Sequence, residues 1–368
     1  MAHVRAPGVG AIVEDVEITV CVGVAAWKRD AVSRLLAPDT PSFTPFASRA
    51  VQMAKARGGA IGVWPSRAPK GLESLARRAG VPLARIEDGF IRSSGLGAEC
   101  RPPASIVVDR TGIYFDPGRP SDLELLLTHA AFDAALTTRA QRLIDRVVAL
   151  GVTKYNLAGK ALFRPIPTRA GARTVLVIGQ VEDDLSVRLG GAGVAGNLDL
   201  LRRVRALEPE AIVLYRPHPD VEGGHRKGAL RADQVLGLAD HLVTGDVSLP
   251  RLLESVQAVH VLTSLTGFEA LLRGLEVIVH GQPFYAGWGL TRDLAPPPRR
   301  GRKLSVAQLA AGALILYPRY LDPQSGQACS PEALVERLAE GQGPPPSLLP
   351  AVRRMQGQVR RLADAVAL

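Results

Sequence analysis

The sequence predicts an α/β protein of two Rossmann-like domains, each a parallel sheet covered by helices. The chain has 368 residues, which suits two domains of ordinary size. Short apolar runs rich in β-branched residues alternate with amphipathic stretches, and this alternation stops once and then restarts. Near-continuous apolar strands separated by helices are typical of parallel sheets that are buried on both faces. Because such sheets bind ligands at the carboxyl ends of their strands, we expect the functional residues there, around a cleft between the domains.

The first domain is predicted over residues 1–155. Its strands are Ile18–Val24, Ala60–Trp64, Leu83–Ile86 and Ser105–Val108. Its helices are Leu72–Ala79, Ser121–His129 and Asp133–Leu150. The start of the second helix is indicated by the Pro120-Ser121 pair. A polar stretch with two prolines and a glycine follows, and we interpret residues 156–173 as the linker.

The second domain is predicted over residues 174–342. Its strands are Thr174–Ile178, Ala211–Tyr215, Ala258–Leu262 and Glu276–His280. Its helices include Asn197–Leu207, which Asn197 is expected to cap, and Thr266–Arg273. After a proline-rich break, residues 343–368 read as a basic amphipathic helix. Such a helix either docks on the body of the protein or lies on an anionic membrane surface.

The composition narrows the class of partner. The chain carries 45 basic and 35 acidic residues, a net charge of +10, so an anionic partner is expected. Aromatic residues make up only 5% and do not interleave with basic runs, which argues against nucleic acid. Three scattered cysteines exclude a disulfide framework and a structural zinc site. The sequence also lacks a spanning apolar run and a signal peptide, so we expect a cytoplasmic protein.

Acidic residues follow a strand in each half of the chain. In the second half, Glu182, Asp183 and Asp184 come directly after the first strand. They are interpreted as a solvated loop with a helix cap, as a source of one nucleophilic or stabilising carboxylate, or as ligands of Mg²⁺. In the first half, Glu87 and Asp88 precede a glycine turn, so they form either a tight turn only or a general base.

Cationic and hydroxyl side chains follow two other strands of the second half. Arg216 and His218 end one strand, and the flanking prolines hold the imidazole stiffly, as a phosphate site requires. The alternative is a core histidine satisfied by the backbone. Hydroxyls and a glycine over residues 263–269 sit where a strand gives way to a helix, which indicates an anion site or an ordinary cap at Thr266 with Glu269 as its capping-box partner.

A glycine run over residues 191–196 matches the pattern GxGxxG. It lies a dozen residues after the end of its strand, whereas a dinucleotide fingerprint follows its strand at once. We therefore interpret this run as a turn or a ligand-approaching loop and expect no nicotinamide or flavin site.

At the acidic, cationic and hydroxyl motifs described above, the chain resembles the KpsC-type capsule polysaccharide biosynthesis family of β-Kdo glycosyltransferases. Eight ordered motifs between about residues 20 and 325 carry the resemblance. They are Trp27-Lys28-Arg29, residues 87–97, residues 112–116, residues 120–124, residues 179–184, residues 216–219, residues 263–269 and residues 283–291.

The resemblance implies a GT-B fold and transfer of Kdo from CMP-Kdo to a lipid-linked Kdo or sugar acceptor, with retention at the anomeric carbon. It implies Asp184 as the nucleophile, with Asp183 as the rival, and Glu87 as the acid/base, with Asp88 as second choice. No metal or other cofactor is expected.

The acid-acid-Gly and His-Pro motifs also resemble those of bacterial GT-B sialyltransferases. By that resemblance, His218 and Ser264 would bind the CMP phosphate and Glu269 the ribose. Other residues expected on the donor side are Gln180, Arg92, Arg216, Thr266 and Gly267. Arg92 would pair with a substrate carboxylate.

Typical members of the family carry two such modules, whereas this chain has one. The expected partners are the donor, the glycolipid acceptor, the anionic surface of the inner membrane and capsule-assembly proteins, with the chain peripheral on that membrane. Two alternatives stay open: a sugar-nucleotide hydrolase or epimerase on the same fold, and a non-catalytic capsule-assembly protein that binds glycolipid.

Overall fold

The computed structural model describes residues 16–95, 100–156, 171–245 and 247–341. They form two α/β units, as the sequence predicts. Unit 1 contains described residues up to 114, residues 119–146 and residues 307–341, and unit 2 contains residues 115–118 and the described residues between 147 and 306. Most of the predicted linker and the predicted helix over 343–368 lie outside the described residues.

The described residues contain twelve strands and thirteen α-helices. The strands are β1 (Ile18–Val22), β2 (Ser42–Phe43), β3 (Ala60–Val63), β4 (Leu83–Asp88), β5 (Ser105–Asp109), β6 (Thr174–Ile178), β7 (Ile212–Arg216), β8 (His241–Leu242), β9 (Ala258–Val261), β10 (Glu276–Val279), β11 (Arg292–Asp293) and β12 (Pro318–Tyr320). The helices are α1 (Arg29–Leu36), α2 (Ala47–Ala56), α3 (Leu72–Ala79), α4 (Asp122–His129), α5 (Ala134–Ala149), α6 (Leu185–Gly190), α7 (Asn197–Leu207), α8 (Pro219–Glu222), α9 (Ala232–Leu236), α10 (Leu249–Glu254), α11 (Leu265–Leu271), α12 (Val306–Ala310) and α13 (Pro331–Ala339). Within the described ranges, no helix has both the length and the apolar character needed to cross a bilayer.

The sheet of unit 1 has the order β12-β5-β4-β3-β1-β2. It is mixed, which corrects the prediction of a wholly parallel sheet, because β5 runs antiparallel to both β4 and β12. The described residues between β4 and β5 contain no helix, and a parallel return would require a crossover of that kind. The pairs among β1, β2, β3 and β4 are parallel as predicted.

Helices cover both faces of this sheet. On one face, α1 buries Val32, Leu35 and Leu36 against residues of β1, β3 and β4. On the other face, α2 and α3 lie side by side and bury a second apolar cluster against the same strands. The α2–α3 pair therefore forms the outer layer of unit 1 on that face.

The C-terminal part of the described chain returns to unit 1, which differs from the predicted domain of residues 174–342. β12 pairs with β5, and the Tyr317 hydroxyl donates to Asp109 Oδ2 at 2.8 Å. On α13, Glu332 accepts a hydrogen bond from Arg139 Nε of α5 at 2.7 Å. These contacts join residues far apart in the chain, so the pattern of elements along the sequence did not indicate them.

The sheet of unit 2 is parallel throughout, as predicted, in the order β11-β10-β9-β6-β7-β8. β6 lies in the middle, paired with β7 on one side and β9 on the other. Helix α7 has the predicted bounds, but its N-cap is Gly196, so Asn197 is the first helical residue and not the cap.

Two histidines form a buried pair in the sheet of unit 2. His260 on β9 and His280 just after β10 are almost fully buried, and their Nδ1 and Nε2 atoms lie 3.1 Å apart. A hydrogen bond at that distance needs one ring to donate and the other to accept, so at most one of the two rings can be protonated. Burial lowers the pKa of His260 to about 3 and that of His280 to about 4.

This pair predicts that the fold loses stability in mild acid. Below pH 6.5, the ordinary pKa of histidine, the unfolded chain takes up protons that the folded chain does not bind until about pH 4. We expect the free energy of unfolding to fall between pH 7 and 5 by about 1–2 kcal/mol per histidine. Urea unfolding at both pH values tests this. The variant His260→Gln/His280→Gln should show the smaller pH dependence, and an equal dependence would contradict the prediction.

Candidate functional site

Three loops of unit 2 follow strands that are neighbours in its parallel sheet. The loop beginning at Gly179 follows β6, the loop with His218 follows β7, and the turn with Ser264 follows β9. Parallel strands end at the same edge of a sheet, so these loops meet there. The structure thus brings together most of the residues that the sequence predicts for the second domain.

A buried asparagine holds the first of these loops. Asn197 Oδ1 accepts the backbone N–H of Gln180 at 2.8 Å, while its Nδ2 donates to the carbonyls of Gln180 and Gly228, both at 2.8 Å. These three bonds tie the loop after β6 to the start of α7 and to the loop that contains Gly228. Asn197 therefore holds the loops of the site in place, although it is not the N-cap of α7.

The Gln180 side chain holds the next loop. With the amide oriented to satisfy both of its ends, its oxygen accepts the N–H groups of Leu262, Thr263 and Ser264 at 2.9, 2.9 and 3.2 Å. Its nitrogen donates to Thr263 Oγ1 at 2.9 Å. The buried amide therefore has a positioning role between β6 and β9, in addition to the predicted contact with the donor.

The three adjacent carboxylates make different hydrogen bonds, although Arg226 lies near both aspartates. Glu182 accepts the N–H of Asn197 at 2.8 Å, and the half-exposed Asp183 pairs with Arg226 at 3.0 Å. Asp184 is the N-cap of α6, and its Oδ2 accepts the N–H and the hydroxyl of Ser186 at 3.1 and 2.6 Å. The helix-cap interpretation is therefore confirmed at Asp184.

The cap also orients the Asp184 carboxylate. Its other oxygen, Oδ1, lies 3.9 Å from Arg226 Nη2. Because Ser186 donates two hydrogen bonds to Oδ2, the Asp184 carboxylate is held in one orientation. Asp183 has neither of these bonds, and among the described residues it accepts hydrogen bonds from the Arg226 side chain instead. In the described part of the chain, no three His, Cys, Asp or Glu side chains are grouped as metal ligands would be.

The glycine run of residues 191–196 lies between α6 and α7, away from any strand end, as predicted. Gly196 has φ of +141°, and a Cβ there would lie 2.5 Å from Glu182 Oε1. A side chain at this position would therefore push the Glu182 carboxylate off the start of α7. The run provides a close backbone approach within the loop.

His218 is held as a hydrogen-bond donor. It is the N-cap of α8, and its Nδ1 accepts the N–H of Asp220 at 3.1 Å, so in the neutral ring the proton is on Nε2. Burial lowers the pKa of His218, the carboxylates of Asp220 and Asp184 partly oppose that shift, and Lys154 reinforces it. The sequence suggests a cationic imidazole, whereas this environment favours a neutral one with an Nε2–H donor.

Arg216 ends β7 beside this histidine. Its Nη2 donates to the carbonyl of Val247 at 2.7 Å, whereas Nη1 is buried without a hydrogen-bond partner among the described residues. Burial lowers the pKa of Arg216, and Glu222 and Glu269 oppose the shift. A buried guanidinium N–H without a partner is costly, and an anionic ligand oxygen would satisfy it.

The turn between β9 and α11 corrects one prediction. Ser264 is the N-cap, with its Oγ accepting the N–H of Thr266 at 3.2 Å, so no capping box links Thr266 to Glu269. Glu269 is instead buried and accepts the N–H of Lys154 at 2.8 Å. Burial raises the pKa of Glu269, while that N–H and the neighbouring cations lower it.

Gly267 is required by its contact with an aromatic ring. A Cβ at Gly267 would lie 2.4 Å from the hydroxyl oxygen of the buried Tyr285. That hydroxyl donates to the carbonyl of Ser264, so the ring supports both the cap and the glycine. The motif over residues 283–291 therefore contributes to the site as a support under this turn.

Sequence reasoning missed three residues of this site, Lys154, Tyr155 and Arg226, and it gave no role to Tyr285 within the motif over residues 283–291. The Tyr155 ring stands edge-on to the His218 ring, with centroids 6.5 Å apart. The sequence assigns residues up to 155 to the first domain, whereas residues 147–156 belong to unit 2. In the sequence, the only indication of Lys154 and Tyr155 was that a basic and an aromatic residue stand side by side in an irregular stretch.

The acidic pair of the first half lies in unit 1, at the end of β4. Asp88 bridges two cations, with Lys28 Nζ at 3.0 Å from both of its oxygens and Arg92 Nε at 2.7 Å from Oδ2. Lys28 also lies 3.7 Å from the centroid of the Trp64 ring. Glu87 accepts the Asp88 N–H at 3.0 Å. Burial lowers the pKa of Lys28, and the negative charges of Asp88 and Glu87 oppose that shift.

The position of Arg92 does not support its predicted pairing with a substrate. The side chain is fully buried, and besides Asp88 it donates to Ser93 Oγ at 2.7 Å and to the Arg101 carbonyl at 2.9 Å. Because its Nε and both terminal nitrogens are engaged inside unit 1, Arg92 fixes Asp88 and the following loop instead of contacting a ligand.

Comparison with known proteins shows the family of the chain. The family described as "Capsule polysaccharide biosynthesis protein" matches residues 59–157 and 160–320. The chain belongs to this family. It is 41% identical over 346 residues to the lipopolysaccharide-processing protein LpsZ of Rhizobium meliloti, covering 92% of this chain and 78% of LpsZ.

A second relative is the capsule polysaccharide modification protein LipA of Neisseria meningitidis serogroup A, 40% identical over 321 residues. That match covers 86% of this chain and 45% of LipA, so the chain spans about half the length of LipA.

Two solved structures are similar to this chain. One is titled Thermosulfurimonas dismutans KpsC, beta Kdo 2,7 transferase, with 33% identity, a TM-score of 0.72 and coverage of 89% of this chain and 100% of that one. The other, the beta Kdo 2,4 transferase of the same KpsC, has 31% identity, a TM-score of 0.74 and coverage of 87% and 98%. These matches confirm the KpsC-type resemblance and the predicted GT-B class of fold.

The Asn197 clamp yields a prediction about stability. Asn197→Ala removes three buried hydrogen bonds and leaves backbone groups of Gln180 unsatisfied, so we expect the free energy of unfolding to fall by about 2–3 kcal/mol. Denaturant unfolding measures the change. Gln141→Ala, which removes one exposed side-chain hydrogen bond on α5, is the control and should cost less. Equal losses in the two variants would contradict the clamp.

Proposed function

We propose that this chain is a retaining glycosyltransferase that transfers Kdo from CMP-Kdo to a lipid-linked Kdo or other saccharide in capsule polysaccharide biosynthesis. One observation carries the proposal: the same edge of unit 2 holds an oriented carboxylate at Asp184, a neutral His218 with an Nε2–H donor and an unsatisfied N–H of Arg216. A nucleotide-activated sugar needs these groups, which are a nucleophile for its anomeric carbon and donors for its phosphate.

The donor is proposed to bind through its phosphate and ribose. His218 Nε2–H and Arg216 Nη1 donate to the CMP phosphate, and the turn formed by Ser264, Thr266 and Gly267 borders it. Glu269 accepts from a ribose hydroxyl with the oxygen that Lys154 does not occupy. The carboxylate of Kdo adds a second negative charge, which a chain of net charge +10 favours.

The proposed reaction proceeds in two displacements. The Asp184 carboxylate attacks the anomeric carbon, and the bond to CMP breaks with its electron pair leaving on the phosphate. An acceptor hydroxyl then attacks the glycosyl ester while Glu87 takes its proton, and Asp184 is released as a carboxylate. Two inversions give net retention. Asp183 and Asp88 are the second candidates for these roles. Asp183 lies closer to Arg226 than Asp184 does, at 3.0 Å against 3.9 Å, and Asp88 pairs with Lys28 and Arg92.

This scheme requires no metal or other cofactor. The acceptor is lipid-linked, so the enzyme is proposed to act in the cytoplasm as a peripheral protein of the inner membrane, alongside capsule-assembly proteins. Release of CMP from CMP-Kdo with and without a Kdo-terminated lipid acceptor tests the function, and NMR of the product reports its anomeric configuration. Release that needs no acceptor indicates a hydrolase or epimerase, and binding without release indicates a non-catalytic protein.

The two adjacent aspartates provide a matched pair of variants. Asp184→Asn should abolish transfer while CMP still binds, because the amide cannot attack the anomeric carbon. Asp183→Asn should retain transfer, since its carboxylate only pairs with Arg226 on the surface. Mass spectrometry of a trapped intermediate should show a Kdo adduct on Asp184, and an adduct confined to Asp183 would reverse the assignment.

The phosphate role of His218 is tested by CMP affinity. His218→Asn keeps an acceptor for the Asp220 N–H but removes the Nε2–H donor, so the Kd for CMP should rise on the order of 5- to 150-fold, about 1–3 kcal/mol. Isothermal titration calorimetry measures it. His225→Asn, on the loop seven residues later, is the control and should bind CMP normally. Unchanged affinity in His218→Asn would remove that role.

A further inference from the structure

Positive charge is concentrated on one stretch of unit 1. Residues 44–85, which include α2 and α3, contain eight basic residues and a single acidic one, whereas the whole chain has a net charge of only +10. The basic residues are Arg49, Lys55, Arg57, Arg67, Lys70, Arg77, Arg78 and Arg85, and the acidic one is Glu73. This stretch thus carries most of the net charge of the protein.

These charges face outward. The apolar sides of α2 and α3 are buried against the sheet, and all eight basic residues except Arg85 are exposed. Glu73 is shared between Arg85 at 2.7 Å and Arg119 at 3.8 Å. Within the described ranges, none of the seven exposed basic residues has an acidic partner within 4.0 Å. We call these seven residues, together with Phe46, the basic face.

Phe46 adds an apolar group to the charged layer. It is 63% exposed, more than any other large apolar side chain in the described chain. It is the N-cap of α2, three residues before Arg49, and supplies no capping hydrogen bond. Serine, threonine, asparagine or aspartate would stabilise that position better, so an exposed phenylalanine there has a cost in stability. An aromatic ring beside exposed basic side chains is typical of a membrane interface.

We propose that the basic face binds the surface of an anionic lipid bilayer. Four of the seven charges lie on the two adjacent helices, and the other three lie directly after α2 or in the connection to α3. A group of exposed charges of this kind suits a flat, negatively charged surface, and Phe46 supplies an anchor for the headgroup region. Single-stranded nucleic acid would favour a groove with several interleaved aromatic rings, and this face has one ring. The assignment goes beyond the proposed reaction, and it would bring unit 1 to the lipid of the acceptor.

Sedimentation of the full chain with vesicles tests the basic face. We expect binding to vesicles of phosphatidylcholine mixed with phosphatidylglycerol, much weaker binding to pure phosphatidylcholine, and a loss of binding at high salt. The variant Arg49→Glu/Lys55→Glu/Arg77→Glu should bind the anionic vesicles about tenfold or more weakly. Phe46→Ser should weaken binding to the same vesicles without changing the net charge.

A charge-matched control separates this face from overall charge. Arg142→Glu/Arg202→Glu/Arg251→Glu reverses three exposed arginines elsewhere and changes the net charge equally, so it should bind nearly as the unaltered chain does. Equal loss of binding in the two triple variants, or no loss in either, would overturn the proposal. Retention on a soluble polyanion such as heparin, with no binding to vesicles, would assign the face to polyanionic polymers and overturn it too.

The vesicle measurements use neither donor nor acceptor, so they stand apart from the proposed reaction. CMP release with a water-soluble acceptor should be unchanged in the basic-face triple variant, because none of its residues belongs to the site in unit 2. If the chain binds vesicles through this face but transfers no Kdo, the proposed reaction is contradicted and the membrane assignment still holds.

Discussion

The parallel pairing of β6 with both β7 and β9 is the constraint on which the site of unit 2 depends. It places the ends of three strands side by side, although the residues that follow them are up to about eighty positions apart. Two buried amides then hold the loops at that edge. Asn197 fixes the loop after β6, and Gln180 reaches from that loop to the turn after β9. The hydrogen bonds of these two amides offset the conformational entropy that the loops lose when they become ordered.

Local contacts and burial give similar side chains different chemical roles. Asp183 and Asp184 are adjacent, yet one pairs with a surface arginine and the other caps a helix and is held in one orientation. His218 and Glu269 are both driven toward their neutral forms by burial. The site can therefore receive a negatively charged ligand with a neutral donor beside it, and its positive charge comes from Arg216 and Lys154. The neutral histidine gives direction to the contact, whereas the cations give attraction.

Unit 1 uses its charges differently. Asp88, Lys28 and Arg92 neutralise much of one another in a compact buried cluster, so that group mainly sets the shape of the end of β4. The basic residues of α2 and α3 instead face solvent, and the one acidic residue on these two helices, Glu73, pairs with Arg85. Unit 1 thus contains two groups of positive charge. The buried group is balanced in part by Asp88, whereas the exposed group is the basic face, which includes Phe46. Only the second arrangement suits a large anionic surface.

The sequence by itself determined the fold class, nearly every central strand, helix α7 to the residue and the loops that carry the site, because hydrophobic periodicity reports which segments are buried. It did not determine the antiparallel β5, the return of residues 307–341 to unit 1 or the roles of Lys154 and Tyr155. Those features depend on contacts between segments far apart in the chain, and a local sequence pattern does not report such contacts. Arg92 shows the same limit: its residue type suits a carboxylate ligand, and only the tertiary structure revealed that its donors are already used inside the core.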